Sequence, residues 1–215
     1  MYKLSPSIFA VKKNNFQDTL KIINNSNIGH LHIDIMDGVF VPNYFLDFSL
    51  IETLRNKTEL ILDVHLMINN PIGILEELKE LGVDIVTVHL EACKNPLDTI
   101  EAIKKLGMKA GIALNPTTHI NELSDELLYK VNRILIMTVE PGRKNQRYIE
   151  SSTEKIIDMK RRLLALGIEK DIQVDGGIDL DNISKVLDAG ANIIVVGRSL
   201  FTDNIEENIQ SFLNK

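Results

Sequence analysis

The run of residues that decides the fold is HIDIMDG, at positions 32–38. His32, Asp34 and Met36 alternate with two isoleucines, so a β-strand would place these three side chains on one face. Imidazole and carboxylate groups are costly to bury unless they are paired or bound to a cation. The run ends at Gly38, and parallel α/β proteins place their functional sites where strands give way to loops. The pattern therefore predicts a strand that carries polar side chains to its carboxyl end.

Three further apolar runs end in acidic or imidazole side chains. They are LDVHLM at 62–67, VTVH at 86–89 and QVDGG at 173–177. In the first of these, His65 and Met67 repeat the alternation seen in the opening run. The recurrence indicates several strands whose polar ends serve one site.

Short strand-like runs alternate about eight times with longer amphipathic stretches. The predicted strands are 4–9, 30–36, 60–67, 85–89, 109–114, 133–138, 172–174 and 193–196. Helices, indicated by apolar residues at three- and four-residue spacing, are predicted at 71–81, 95–106, 151–166 and 180–189. Because no linker or composition break interrupts the alternation, we expect an α/β fold, a single (β/α)8 TIM barrel domain over residues 1–215.

An open, doubly wound parallel sheet is the alternative fold. Such a sheet would more often carry a Gly-x-Gly-x-x-Gly phosphate turn after its first strand. This chain has Ser5-Pro6-Ser7 at that point instead. The barrel also brings the scattered polar segments together, because the carboxyl ends of its strands share one rim.

The composition limits the class of protein and its partners. The chain has 215 residues and a formal net charge of −6, which argues against a nucleic-acid partner because phosphate backbones need a basic face. Its single cysteine, Cys93, excludes an intrachain disulfide and fits a reducing compartment. The apolar runs are too short for a transmembrane segment, and residues 1–10 lack a signal-peptide core. We therefore expect a cytoplasmic protein with no membrane partner.

Four of the polar residues suggest a metal site. His32, Asp34, His65 and Asp175 offer two imidazoles and two carboxylates, a donor set that suits zinc or divalent iron, manganese or cobalt. We expect a divalent metal ion here, with zinc preferred. Each residue also has a simpler explanation, since a lone strand histidine is usually a hydrogen-bonded core residue.

Two of these acids could act as a catalytic pair. Asp34 lies on the second predicted strand and Asp175 on the seventh, so in a ring of eight strands they would approach a ligand from different sides. Epimerisation by proton transfer needs one group to remove a proton and another to return one to the opposite face. Alternatively, either aspartate could simply cap a helix or orient a histidine.

The last two predicted strands are followed by residues suited to an anion. Gly176 and Gly177 follow the seventh strand, and Gly197 and Arg198 follow the eighth. Barrels commonly bind phosphate at these positions through backbone amides, and glycine lets the main chain approach closely. We expect a phosphate site there, although turn glycines and exposed arginines are also common without one.

Three methionines end predicted strands at the same rim. Met36, Met67 and Met137 end the second, third and sixth strands. Methionine usually fills gaps in a core. At the rim, three of them could instead form an apolar floor that keeps water from a reacting carbon.

Taken together, the segments resemble the ribulose-phosphate 3-epimerase family nearly end to end and in order. The resemblance is carried by LSPSI at 4–8, HIDIMDG at 32–38, FVPN at 40–43, LDVHLM at 62–67, VHLEA at 88–92, LNPT at 114–117, MTVEPG at 137–142 and VDGG at 174–177. It implies a metal-dependent (β/α)8 barrel that interconverts ribulose 5-phosphate and xylulose 5-phosphate, and a homo-oligomer.

The resemblance also implies roles for individual residues. The implied metal ligands are His32, Asp34, His65 and Asp175, and the implied acid–base pair is Asp34 and Asp175. The implied substrate contacts are Ser7, Met36, His65, Met67, Met137 and Gly142. The implied phosphate contacts are Gly176, Gly177, Gly197 and Arg198.

Two loops depart from the family pattern. After Gly142 the family typically has Phe-Gly-Gly-Gln, whereas this chain has Arg143-Lys144-Asn145-Gln146. Asn145 can still adopt a left-handed backbone conformation, and Arg143 and Lys144 could attract the phosphate. The segment after Asn43 also lacks the usual glycine and prolines.

These departures leave the substrate open. The same chemistry on a six-carbon ketose phosphate, such as allulose 6-phosphate, is the nearest alternative. A sugar-phosphate-binding protein without catalysis and a metal-free phosphate-binding barrel, such as a decarboxylase or synthase, are the others.

Overall fold

The computed structural model describes residues 2–11 and 15–215. Within these residues nine strands form one sheet. They are β1 (Lys3–Pro6), β2 (His30–Asp37), β3 (Tyr44–Phe45), β4 (Ile61–Met67), β5 (Ile85–His89), β6 (Lys109–Leu114), β7 (Arg133–Met137), β8 (Asp171–Asp175) and β9 (Ile193–Val196). Eight of these strands are parallel to their neighbours, and β3 pairs antiparallel with the end of β2.

The parallel strands close into a barrel. Their order in the sheet is β1-β9-β8-β7-β6-β5-β4-β2. The two ends of this sheet meet through a parallel bridge between Ser7 and His32. The predicted (β/α)8 TIM barrel is therefore confirmed, and the carboxyl ends of its strands share one rim.

Helices follow the strands and pack on the outside of the barrel. In the described residues they are α1 (Phe16–Asn24), α2 (Phe48–Arg55), α3 (Leu75–Glu80), α4 (Pro96–Lys105), α5 (Asp125–Lys130), α6 (Ser152–Ala165), α7 (Ile183–Ala189) and α8 (Ile205–Leu213). Side-chain oxygens satisfy free backbone N–H groups at several helix starts, as Asp47 does for Leu50 at 3.1 Å. None of the described helices has both the length and the apolar character needed to cross a membrane.

The apolar core lies between the barrel and its helices. Ile33 and Ile35 on β2 and Val64 on β4 pack in one cluster with Ile51 and Leu54 of α2, and all five side chains are buried. The alternate positions of the same strands point into the barrel. Polar side chains collect there, which is why the strands carry both core and site residues.

The predicted strands match the structure closely, with one boundary wrong and one strand missed. Two predicted helices differ at their starts: the helix at 71–81 begins as a 3-10 helix (Pro71–Ile74) before α3, and the helix at 180–189 begins at Ile183. The first predicted strand runs to residue 9, but β1 ends at Pro6 and the chain turns into a short 3-10 helix at Ile8–Ala10. Backbone bonds from Ala10 to Ser7 (3.2 Å) and from Val11 to Ile8 (3.0 Å) close this turn. The missed strand, β3, has two residues, too few to produce a recognisable alternation.

Candidate active site

Four side chains converge inside the carboxyl end of the barrel. One donor atom from each of His32, Asp34, His65 and Asp175 lies within 4.8 Å of the others. The strand register produces this convergence, because Asp34 on β2 is paired with His65 on β4. Asp175 arrives from β8, at the end of which it is paired with Met137. The structure thus brings together the four residues that the sequence suggested as metal ligands, and we name them the metal-site cluster.

The donor set of the metal-site cluster fits a divalent cation. Nε2 of His32 lies 3.3 Å from Oδ1 of Asp34 and 3.6 Å from Oδ2 of Asp175. This nitrogen is buried, and among the described residues no group is aligned to form a hydrogen bond with it. A buried imidazole nitrogen that faces two carboxylates without a hydrogen bond is the arrangement expected where a cation belongs. Nitrogen and oxygen donors without sulfur suit zinc or another divalent transition metal.

Both carboxylates of the cluster are held in the ionised form. Burial alone would raise the pKa of Asp34, but the charge of His32 and the close polar contacts with His32 and His65 outweigh it and lower that pKa well below its ordinary value. The pKa of Asp175 is also lowered, because its polar contacts with the same two histidines outweigh its burial. Each aspartate can therefore act as a ligand or accept a proton near neutral pH.

Ser7 joins β1 to this cluster. Its Oγ donates a hydrogen bond of 3.0 Å to Oδ2 of Asp34. Its own backbone N–H bonds to Val196 of β9 at 3.0 Å. The predicted substrate contact at Ser7 therefore lies beside one of the two candidate proton carriers.

A buried polar network supports His32 from below. Nδ1 of His32 lies 3.3 Å from Oδ2 of Asp63, which also accepts from Nη1 of Arg133 and Nε2 of Gln173, both at 2.6 Å. Burial raises the pKa of Asp63, but Arg133 and the bond from His32 lower it overall, well below its ordinary value. The anionic Asp63 therefore fixes the ring of His32 and leaves Nε2 facing the cluster.

This network was not predicted from the sequence. Asp63 precedes His65 by two positions and Gln173 precedes Asp175 by two, so each lies one layer deeper on the same inward face. That alternation was available as a signal. The role of Arg133 was not, because an arginine at the start of a strand is usually exposed.

His65 is supported differently, through a second histidine. Nδ1 of His65 lies 3.1 Å from Oδ1 of Asp34, and its Nε2 lies 2.8 Å from Nε2 of His89. His89 is buried at the end of β5, and its Nδ1 lies 3.3 Å from Oε2 of Glu91. Burial, the largest effect, lowers the pKa of His89 to about 4. His89 is therefore neutral at physiological pH.

A cavity of about 680 Å³ opens above the metal-site cluster. Asp34 and Asp175 line it, but the imidazole of His65 lies behind them, although the sequence resemblance implied a substrate contact there. The other five implied contacts line the cavity: Ser7, Met36, Met67, Met137 and Gly142. The methionine side chains are buried, so they give the cavity an apolar floor next to its two acids.

The four predicted phosphate residues also line this cavity. Gly176 and Gly177 follow β8, and Gly197 and Arg198 follow β9. Gly177 has a φ of +67°, and a Cβ there would lie 2.5 Å from the backbone nitrogen of Tyr148. A side chain would therefore disrupt this wall, which explains the need for glycine.

The divergent loop at 143–146, which we call the rim loop, closes one side of the cavity. Asn145 has a φ of +60°, the left-handed conformation that the sequence analysis allowed for it. Its Oδ1 accepts a 2.8 Å hydrogen bond from Nη1 of Arg198. Nζ of Lys144 lies 4.2 Å from the ring centroid of Phe9, while Gln146 Nε2 bonds to the backbone oxygen of Glu140 at 2.6 Å.

The fold and the site define a class of protein: a (β/α)8 barrel with a candidate divalent-metal centre beneath a cavity that has a glycine-rich wall. Comparisons with solved structures agree on the fold. A mutant tryptophan synthase alpha-subunit from Pyrococcus furiosus has a TM-score of 0.68 at 17% identity, and the match covers 100% of each chain. Phosphoribosyl anthranilate isomerase from Thermus thermophilus has a TM-score of 0.67 at 11% identity, covering 99% of this chain and 98% of the other.

Sequence comparisons identify the family. Residues 3–201 match the model of the ribulose-phosphate 3 epimerase family. Ribulose-phosphate 3-epimerase from Bacillus subtilis is 37% identical over 94% of this chain and 93% of its own length. The enzyme of the same name from Methanocaldococcus jannaschii is 33% identical over 100% of this chain and 94% of its own length. The chain therefore belongs to the ribulose-phosphate 3-epimerase family and is a ketose-phosphate 3-epimerase, an isomerase.

Proposed function

We propose that this enzyme interconverts D-ribulose 5-phosphate and D-xylulose 5-phosphate. One observation carries the proposal: two ionised carboxylates, Asp34 and Asp175, border the same cavity at the metal-site cluster. They come from β2 and β8, which are separated in the closed barrel by β1 and β9. Two groups that reach a carbon from different sides suit inversion of its configuration by proton transfer. The names of the relatives support the five-carbon substrate.

In the proposed reaction the two aspartates exchange roles across the sugar. One carboxylate removes the proton from C3, and the electron pair of the broken C–H bond moves into the adjacent C2 carbonyl to give an enediolate. The other aspartate is ionised in the free site, so it must first take up a proton from solvent, which it then delivers to the opposite face of C3 as the carbonyl re-forms. One carboxyl group gains a proton and the other loses one, so the reverse turnover or exchange with water restores the starting state.

The remaining site residues hold the substrate and exclude water. A divalent cation, with zinc preferred over iron, manganese or cobalt, held by His32, Asp34, His65 and Asp175 would supply positive charge where the substrate oxygens become negative. The methionine floor keeps water from C3, since a stray water could protonate the enediolate without stereochemical control. At the other end of the cavity, the amides of the glycine wall and the cation of Arg198 bind the phosphate.

Deuterium incorporation tests this proposal directly. The zinc-loaded protein is incubated with ribulose 5-phosphate in heavy water, and both the xylulose 5-phosphate formed and the label at C3 are measured by NMR. We expect product formation with deuterium at C3. Binding of the sugar phosphate without label or product would instead indicate a binding protein, and activity that chelation leaves unchanged would exclude a metal-dependent reaction.

The rim loop favours a second candidate substrate. Arg143, Lys144 and Asn145 replace the Phe-Gly-Gly of the family pattern, and all three line the cavity. A different wall changes the length of sugar that fits, so a six-carbon ketose phosphate such as allulose 6-phosphate is the alternative. Comparing kcat/KM on the two sugars decides between them, and a higher value on the six-carbon sugar would overturn the five-carbon assignment.

A further inference from the structure

The two ring nitrogens of His65 face different partners. Nδ1 lies 3.1 Å from Oδ1 of Asp34 and 3.6 Å from Oδ2 of Asp175, so it faces the metal-site cluster. Nε2 faces Nε2 of His89 at 2.8 Å. A nitrogen that binds a metal must present a lone pair, so the ring proton of His65 must then reside on Nε2.

The donor and acceptor roles in the series Glu91–His89–His65 follow from the charge of Glu91. Oε1 of Glu91 accepts a 2.8 Å bond from the backbone N–H of Asn115 and a bond from the hydroxyl of Thr118. Its Oε2 lies 3.3 Å from Nδ1 of His89. An ionised carboxylate can accept hydrogen bonds but cannot donate them, so Nδ1 of His89 carries the proton.

The position of the proton on His89 in turn determines the position of the proton on His65. His89 has 0% exposure, which favours its neutral form, and a neutral imidazole with a proton on Nδ1 has a lone pair on Nε2. A distance of 2.8 Å between two nitrogens requires one donor and one acceptor. Nε2 of His65 must therefore be the donor, so the neutral ring, which is the form that binds a metal, has its lone pair on Nδ1.

We propose that Glu91 and His89 are positioning residues that form a relay, which sets the tautomer of His65 so that its Nδ1 can bind the metal. The relay rests on the metal site in the proposed function. Metal-bound histidines usually donate their other ring N–H to a carboxylate or carbonyl. His32 does so directly to Asp63, whereas His65 reaches a carboxylate through a second imidazole.

Packing holds the relay in place. The ring of His89 lies between two neighbours, with ring centroids 4.9 Å from those of both Phe40 and His65. Glu91 is fixed by three hydrogen bonds, which outweigh its burial and lower its pKa below the ordinary value. Because Glu91 is anionic and fixed in position, it accepts from Nδ1 of His89, and this sets the donor and acceptor roles along the relay.

The Glu91→Gln variant should reverse the donor and acceptor roles along the relay with little change in the shape of the side chain. Oε1 of the new side chain would still accept from Asn115 and Thr118, which places the amide NH2 opposite His89. His89 would then accept at Nδ1 and donate from Nε2, leaving the proton of His65 on Nδ1. Because that nitrogen could no longer bind metal without a rearrangement, we expect zinc affinity to fall roughly 10- to 100-fold.

The zinc affinities of the unaltered protein, of Glu91→Gln and of two control variants, all as full chains, are measured by competition with a chromophoric chelator. Thr118→Val removes one bond to Glu91 but keeps its carboxylate, and Glu122→Gln makes the same chemical change in the neighbouring turn. We expect both controls to bind zinc within about threefold of the unaltered protein, with folding checked by thermal unfolding of the metal-free forms. Equal affinity in Glu91→Gln, or equal loss in Thr118→Val, would overturn the relay.

A spectroscopic readout keeps the proposal testable if Glu91→Gln folds poorly. Imidazole 15N shifts of the zinc-loaded, unaltered protein report which nitrogen of each histidine carries hydrogen. We expect hydrogen on Nε2 of His65 and on Nδ1 of His89, and the reverse pattern would overturn the relay. If the unaltered protein bound no zinc, the metal assignment would fail together with the relay, whereas the other negative outcomes overturn the relay alone.

Discussion

In the buried centre of the barrel, Asp63 accepts from His32, Arg133 and Gln173 at 2.6–3.3 Å, and every one of these side chains is inaccessible or nearly so. At the rim, Asn145 and Lys144 are exposed. Asn145 meets Arg198 after β9, and Lys144 meets Phe9 in the short 3-10 helix after β1. Buried charged groups must be paired, while exposed pairs contribute little to stability. The centre therefore tolerates few sequences, but the rim can change without loss of the fold. We therefore propose that the buried residues carry the reaction chemistry and that the rim selects the substrate.

The largest effect should come from the acids of the centre. Replacing Asp175 by Asn keeps the shape of the side chain but removes a proposed proton carrier and an anionic candidate metal ligand. We expect epimerisation to fall at least roughly 10²- to 10⁴-fold, the usual contribution of a general acid or base. Deuterium uptake at C3 measures the loss. Asp34→Asn should behave alike, and retained turnover in both variants would refute the two-aspartate mechanism.

The next largest effect should be on stability. Asp63→Asn leaves the buried cation of Arg133 without its anionic partner at 2.6 Å. Breaking a buried ion pair in this way typically costs about 3–5 kcal/mol in the free energy of unfolding. Urea titration of the metal-free protein checks the value. Lys185→Ala is the matched control, because it breaks the exposed pair with Glu150 at 2.6 Å, and it should change stability by less than about 1 kcal/mol.

An intermediate effect, on substrate binding, is expected at the rim. Arg198→Ala removes a cation from the proposed phosphate end of the cavity, together with the bond to Asn145. A hydrogen bond to a charged group contributes about 1.5–3 kcal/mol, so KM should rise roughly tenfold or more. Because the reacting carbon lies at the other end of the substrate, kcat should change much less. A fall in kcat at constant KM would contradict the assignment of Arg198 to the phosphate.

The smallest effect is expected at Lys144. Its ammonium lies over the ring of Phe9, and contacts of this kind at exposed sites contribute about 0.5–1 kcal/mol. Lys144→Ala should therefore raise KM about two- to fivefold. Assays on both the five-carbon and the six-carbon sugar phosphate sharpen the comparison. If the rim selects the substrate, the ratio of the two kcat/KM values should shift, and an unchanged ratio would place selection elsewhere.

The sequence predicted the barrel and the metal-site cluster for a simple physical reason. Strand alternation is strict, so His32 and Asp34 must share a face, and parallel register then brings His65 beside Asp34. The predicted strands at 85–89, 109–114 and 193–196 agree with β5, β6 and β9 at both ends. Grouping at one rim follows from the closed topology alone.

Hydrogen-bond partners deeper in the barrel could not be predicted in the same way. Whether Arg133 faces solvent or Asp63 depends on how eight strands tilt around a common axis, and no local pattern encodes that tilt. The contacts of the rim loop are equally hidden, since Arg198 and Asn145 are far apart in sequence and meet through exposed side chains. A left-handed conformation of Asn145 could be anticipated from the sequence, but its partner could not.

Ser7 has a consequence for how the enzyme is made. Its backbone is fastened to β9 at Val196 and bridges to His32, while its hydroxyl contacts Asp34. Of the barrel strands, β1 is synthesised before the others and pairs with β9, which is synthesised after them, so the ring stays open until residue 196 has emerged. A nascent chain that stops before that point cannot hold Ser7 against Asp34, so catalytic competence should arrive in a single late step of synthesis.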